Sequence, residues 1–390
     1  MNILRVIASM NPAHGGPAQG IRNSIPALEQ LGVHNEVLCF DAPDASFVKD
    51  DGFAIHTIGP AKGPYAYCKN LKVWLQHNLH RFDAIIIHGL WLYNSYGTYL
   101  ALKSYKIQNG TVPKLFVMPH GMLDPYFQKA AGRRLKAIRN WLFWKLIERH
   151  VVNYADGLLF TCEQELLLAR ETFDSYHPKR ELNISYGIQS APRYSVKLTH
   201  AFHEICTLLF NQPYWLFLSR IHEKKGVDLL IKAYLKLSKE TSNLPALVIA
   251  GPGLDTTYGK EIVALAQSTN QILFTGMLTG DAKWGGIYGC EAFILPSHQE
   301  NFGIAIAEAM ACEKPVLISD KVNIWREIKT GGGGLVDTDT EGGVYAMLTH
   351  WFHLTQAEKK TMAASAKRTY EAFFTMEKAA IQMIEALKSV

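Results

Sequence analysis

Two glutamates stand close together in the stretch PSHQENFGIAIAEAMACEKPVLISD, which runs from Pro296 to Asp320: Glu300 and Glu308. Carboxylates accept hydrogen bonds from hydroxyls, and paired oxygens suit a vicinal diol. The neighbouring residues say where the two would sit. The apolar run 292–295 reads as a buried strand, followed by a polar loop that holds Glu300. Gly303 then opens a helix over 304–311 that carries Glu308, and a second apolar strand follows at 316–319. This βαβ pattern puts Glu300 at the C-terminal edge of a strand, where open α/β sheets bind ligands. The helix N-terminus adds free N–H groups and a positive dipole end. A ligand that is anionic at one end and rich in hydroxyls elsewhere, such as a nucleotide sugar, fits both halves. Ala305, Ile306, Ala307, Ala309 and Met310 flank Glu308. On so apolar a helix a carboxylate needs a partner.

Other strand-to-helix loops carry complementary chemistry. SRIHEKKG, residues 219–226, offers Arg220 and Lys225. Two fixed cations can neutralise a diphosphate, the group on which charge develops when a glycosyl bond breaks. The loop MNPAHGGP after the first strand places Gly15 and Gly16 where backbone can approach a phosphate. It lacks the compact G-x-G-x-x-G of a dinucleotide fold. His120, in VMPHGMLDP, follows another apolar strand and sits next to Gly121, in a tight loop at a ligand-binding edge. Gly251 and Met277 lie in loops that would border a nucleotide base. Asp337-Thr338-Asp339 spells the D-x-D of some metal-dependent transferases, but it comes late in the chain without the partner architecture, and it reads as a surface turn.

These motifs resemble the family 4, or group 1, retaining glycosyltransferases of the GT-B fold. The carriers are the E-x7-E stretch SHQENFGIAIAEAMACEKPVLIS, the R-x4-KG pattern of SRIHEKKG and the H-G loop of HGMLDPY. HGMLDPY is similar to members that build bacterial surface polysaccharides. The resemblance implies that Glu308 binds the donor ribose, and that Glu300 with the backbone of Asn301, Phe302 and Gly303 holds the donor sugar. It implies that Arg220 and Lys225 hold the diphosphate, that His120 contacts the sugar near the reacting centre, and that Gly15 and Gly16 approach the donor phosphate and sugar. The donor would be a UDP- or GDP-sugar, with no cofactor and no metal. One departure is Glu313, where the family often has glycine; it should alter the turn after the helix and leave the chemistry intact.

At 390 residues, two domains are the natural expectation. Strand and helix patterns alternate throughout, which implies parallel sheets. The expected architecture is α/β: two Rossmann-like domains facing a cleft. The resemblance implies that residues 1–195 form the acceptor domain and 212–371 the donor domain, and that a helix over 372–390 crosses back to the first. Hydrophobic residues make up 48% and charged residues 19%, as in an ordinary globular protein. Six scattered cysteines without metal spacing read as reduced core thiols. No secretory leader or membrane span is evident, so a cytoplasmic enzyme is expected, with peripheral attachment to the inner membrane as an option.

The net charge of +5 is concentrated. Residues 126–150 hold Lys129, Arg133, Arg134, Lys136, Arg139, Lys145 and Arg149 against Glu148 alone, interleaved with Trp and Leu. That composition suits either an interfacial helix on anionic lipid or a packed helix with a solvated basic face. No nucleic-acid motif accompanies it. The expected function is retaining transfer of a hexose-type sugar to a glycan or polyprenyl-linked acceptor, in exopolysaccharide, capsule or O-antigen synthesis. A nucleotide-sugar epimerase of the same fold stays open. So does an NAD-dependent oxidoreductase, for which Asp41 would be the ribose acid.

Overall fold

The computed structural model describes the whole chain except residues 13–15, 49–50, 130–133 and 210–211. The chain divides into two units, Met1–Gly187 with Met376–Val390, and Ile188–Thr375. The boundary thus falls before the expected join, and residues 188–195 and 372–375 belong to the second unit.

The first unit is built on seven parallel strands: β1 (Asn2–Ile7), β2 (His34–Cys39), β3 (Ala54–Thr57), β4 (Ala84–His88), β5 (Lys114–Met118), β6 (Gly157–Phe160) and β7 (Glu181–Asn183). Their spatial order is β3-β2-β1-β4-β5-β6-β7. The second unit has six parallel strands: β8 (Tyr214–Leu218), β9 (Ala246–Ala250), β10 (Ile272–Gly276), β11 (Ala292–Leu295), β12 (Val316–Ser319) and β13 (Gly334–Asp337), in the order β10-β9-β8-β11-β12-β13. Each sheet winds one way and then the other from its first strand. The switch points lie between β1 and β4 and between β8 and β11. Crevices for ligands form at the C-terminal ends of strands at such points.

Central strands such as Ala84–His88 and Ala292–Leu295 are buried along their whole length, because helices cover both faces. The C-terminal run is two helices rather than one. Gln356–Phe373 stays with the second unit, the helix is interrupted at Phe374 and Thr375, and Met376–Lys388 packs on the first sheet. There Ala380, Met383 and Leu387 join a core with Ile3, Leu28, Ile86 and Phe116. All six cysteines are buried and unpaired.

Candidate active site

In the second unit, three loops meet above the C-terminal ends of β8, β9 and β10. Ser219 N–H donates to Ala250 O at 3.0 Å, Ile221 N–H to Pro252 O at 2.8 Å, and Gly251 N–H to Gly276 O at 2.7 Å. Glycine is required at Gly251: its φ is +150°, and a Cβ there would lie 1.8 Å from Ser219 O. Gly251 therefore lets the loop that carries Arg220 lie close. Arg220 is exposed and has no hydrogen-bond or ionic partner among the described residues. Met277, just past β10, is 66% exposed.

Lys225, unlike Arg220, does not project into solvent. It is 6% exposed, and its ammonium is ion-paired with Glu300. The two loops that bring this pair together touch directly. Gly226 adopts φ +64°, a Cβ on it would lie 2.2 Å from Pro296 O, and His298 N–H donates to Lys224 O at 2.9 Å. Glu300 is further held by its backbone, donating to Lys321 O at 3.0 Å and accepting from Asn323 N–H at 2.9 Å. Asn323 also donates through its side chain to Asn301 Oδ1 at 3.2 Å. Phe302 is buried against Phe374, edge to face, at a centroid distance of 5.5 Å, so only its backbone can serve a ligand. Gly303 caps the helix Ile304–Ala311 at φ +78°.

Glu308 also has a cation that sequence reasoning missed. Lys283 Nζ, from the helix Gly280–Gly289, lies 2.8 Å from Glu308 Oε1. The second unit thus holds two partly buried lysine–carboxylate pairs on elements that flank the β8–β11 switch point, with free Arg220 beside them. Asp337 and Asp339 are engaged locally. Asp337 Oδ1 accepts from Thr338 N–H at 2.7 Å, and Asp339 Oδ2 lies 2.9 Å from His298 Nδ1. Glu313 stands at φ +60°, so the expected change of turn does not occur: the glutamate adopts a backbone that favours glycine.

In the first unit, His120 follows β5 at φ +53°. Glu165, buried in the first turn of the helix Glu163–Ala169 that follows β6, holds this turn. It accepts from Gly121 N–H at 2.5 Å and from Thr161 N–H at 2.8 Å. His120 Nε2 lies 3.0 Å from His88 Nδ1, and burial lowers the His120 pKa to about 3. Of the glycine pair, Gly15 lies outside the described residues, and Gly16 opens the helix Gly16–Gln30. A cavity of about 620 Å³ opens at the β1–β4 switch point, lined mainly by apolar residues including Ala8, Phe40, Pro60, Leu90 and Met122. Asp41 lines it too, but both its oxygens are engaged, by Ser9 Oγ at 2.6 Å and Met10 N–H at 2.7 Å.

The sequence matches two family models, one for each unit. Residues 15–185 match a glycosyl transferase 4-like domain, and residues 207–342 match glycosyl transferases group 1. The chain belongs to the group 1 glycosyltransferases. Among curated relatives, it is 25% identical over 169 residues to the O-antigen chain mannosyltransferase C of Escherichia coli, covering 42% of this chain and 43% of that protein. It is 33% identical over 117 residues to the lipopolysaccharide core biosynthesis mannosyltransferase LpsB of Rhizobium meliloti, covering 29% and 32%. The matched segments span less than half the length of these relatives. Among solved structures, HepE of Anabaena in complex with UDP and glucose superposes with a TM-score of 0.74 at 17% identity, covering all of both chains. That likeness fixes the fold of this glycosyltransferase as GT-B.

Proposed function

We propose that the protein transfers a hexose-type sugar from a nucleoside diphosphate sugar, with retention of anomeric configuration, to a glycan or lipid-linked acceptor in bacterial surface-polysaccharide assembly. The observation that carries this reading is the pair of ion pairs Lys225–Glu300 and Lys283–Glu308 beside free Arg220, at the switch point of the second unit. Glu308 accepts from the ribose hydroxyls, and Lys283 holds its carboxylate in place. Glu300 and the backbone at Asn301, Phe302 and Gly303 hold the sugar. Arg220 meets the diphosphate, whose charge rises as the sugar's C1–oxygen bond breaks, and Lys225, paired with Glu300, adds positive charge to the same loop. The acceptor oxygen bonds to C1 on the same face, and its proton passes to the departing phosphate oxygen. HepE was solved with UDP and glucose, which supports a UDP- or GDP-sugar as donor. No step in this scheme calls for a cofactor or metal.

Nuclear magnetic resonance of the first-formed product, with UDP-glucose or GDP-mannose as donor, tests the reaction. The donor's α linkage should persist in the product; a β product would refute retention. An epimerase would convert the donor sugar without any acceptor. An NAD enzyme would need a free ribose acid, and the engagement of Asp41 by Ser9 and Met10 weighs against it.

The basic segment supports a second part of the reading, attachment to an anionic membrane. Leu135, Ile138, Trp141, Leu142 and Leu146 are each more than 40% exposed. Lys145 lies over the Trp141 ring at 3.9 Å. The one acid of the segment, Glu148, is fully buried, so the outer face carries no carboxylate. Arg133 lies outside the described residues. Among the described residues, no helix is long and apolar enough to cross a membrane. Each basic residue near an anionic surface contributes about 1 kcal/mol. Reversing Arg134 and Arg139 together to glutamate should therefore weaken binding to phosphatidylglycerol vesicles by roughly tenfold or more. Unchanged vesicle binding would rule this surface out.

A further inference from the structure

Arg5 is buried in the middle of β1, at 1% exposure, and among the described residues it contacts no carboxylate. Its Nε donates to Asn35 Oδ1 at 2.9 Å, one terminal nitrogen lies 3.4 Å from the Met383 sulfur, and the other lies 3.4 Å from His88 Nε2. A guanidinium has only donors. The His88 nitrogen that faces it is therefore the one with the lone pair, and the proton of the neutral His88 ring sits on Nδ1. Nδ1 lies 3.0 Å from His120 Nε2. It donates there, so His120 Nε2 accepts and the His120 proton sits on Nδ1. The two rings stack, with centroids 5.2 Å apart and planes 25° apart. Burial and the nearby Arg5 charge keep both rings neutral. Arg5 itself, though lowered to about 10 by burial, stays charged at neutral pH. His120 Nδ1 has no partner among the described residues, and the ring is half-buried, so this N–H is free for a ligand.

We infer that Arg5 and His88 are positioning residues that lock His120 as a hydrogen-bond donor through Nδ1–H, so that it binds a substrate oxygen and does not accept the acceptor's proton. The only lone pair of the His120 ring is already bonded to His88. Taking a proton would require breaking that bond and placing a second cation near Arg5 in a buried site. The proton released by the acceptor must then go to an oxygen of the substrate itself. The identity of that oxygen rests on the glycosyl-transfer reading; the direction of the relay does not.

The test is nitrogen-15 resonance of the full-length protein with labelled histidine, assigned by the signal missing from His120→Gln. The relay predicts a protonated Nδ1 and an unprotonated Nε2 on His120, with no titration between about pH 6 and 8. Arg5→Met should release the fixed direction and admit an Nε2–H population. His88→Leu should lower kcat by roughly 10–100-fold with nucleoside diphosphate affinity unchanged, by analogy with other partners that orient a histidine. His88→Asn, whose amide can still donate toward His120, should recover part of that loss. A His120 signal with the proton on Nε2, or one that titrates near pH 6.5, would overturn the relay. The Nδ1–H form in a protein that transfers no sugar would uphold the relay and sink the transfer reading instead.

Discussion

Glu313 adopts φ +60° at the end of the helix that carries Glu308, where its N–H donates to Met310 O at 3.0 Å. A left-handed backbone costs a non-glycine residue roughly 1–2 kcal/mol. Glu313→Gly should therefore stabilise the protein by about 1 kcal/mol, after allowing for glycine's greater freedom in the unfolded chain. Urea denaturation would show this as a higher midpoint with an unchanged slope. Glu300, Glu308, Arg220, Lys225 and His120 were legible as candidates because each sits in a loop or helix with a local signature. Apart from the Lys225–Glu300 pair, whose members were both legible, their partners were not. Lys283 comes from the helix before β11, His88 and Glu165 meet the His120 turn from separate elements, and Arg5 reaches His120 through His88. Such pairings depend on strand order, which spacing along the chain does not encode.

The helical segment over 134–154 shows what composition conveys and what it conceals. Its basic and apolar content was plain in the sequence, but its inward face was not. A π-turn at Trp144–Glu148 rotates both residues into the core. Trp144 stacks on Phe173 at 4.8 Å, and Glu148 accepts from Trp91 N–H at 2.9 Å and Ser95 Oγ at 2.6 Å. Trp91 stands at φ +71°, so Glu148 steadies a strained loop. Burial raises the Glu148 pKa to about 7. The folded protein therefore holds this proton between about pH 4.5 and 7 when the unfolded chain does not. Its contribution is complete below about pH 4.5 and is lost as pH rises through 7, by on the order of 3 kcal/mol at most. Glu148→Gln should remove that slope from a series of urea midpoints across this range. An identical slope in the variant would contradict the assignment. The helix Tyr93–Asn109 escaped pattern reading because Asn94, Ser95 and Thr98 occupy its buried face. β3 escaped because it is a short, half-exposed edge strand.

Across the whole molecule, alternating strands and helices pointed to two parallel-sheet units, and the two sheets share one winding order around β1 and β8. The assignment of Met376–Lys388 to the first unit could not be read from its own amphipathic pattern, which fits any apolar face. It follows from where the chain re-enters. Met383 and Leu387 lie in the first unit's core, and Met383 also touches Arg5. Met383→Ala should destabilise that unit by about 2–5 kcal/mol and leave nucleotide affinity unchanged, as seen by melting with and without nucleoside diphosphate. The central claim is that the second unit binds a nucleoside diphosphate through Glu308. Calorimetric titration of UDP, GDP, ADP and NAD into the wild type and Glu308→Ala tests it most directly. The account predicts that one nucleoside diphosphate binds the wild type and that the variant binds it at least about tenfold more weakly, the loss of one good charge-assisted contact. Binding of NAD alone, or equal affinity in the two proteins, would contradict it.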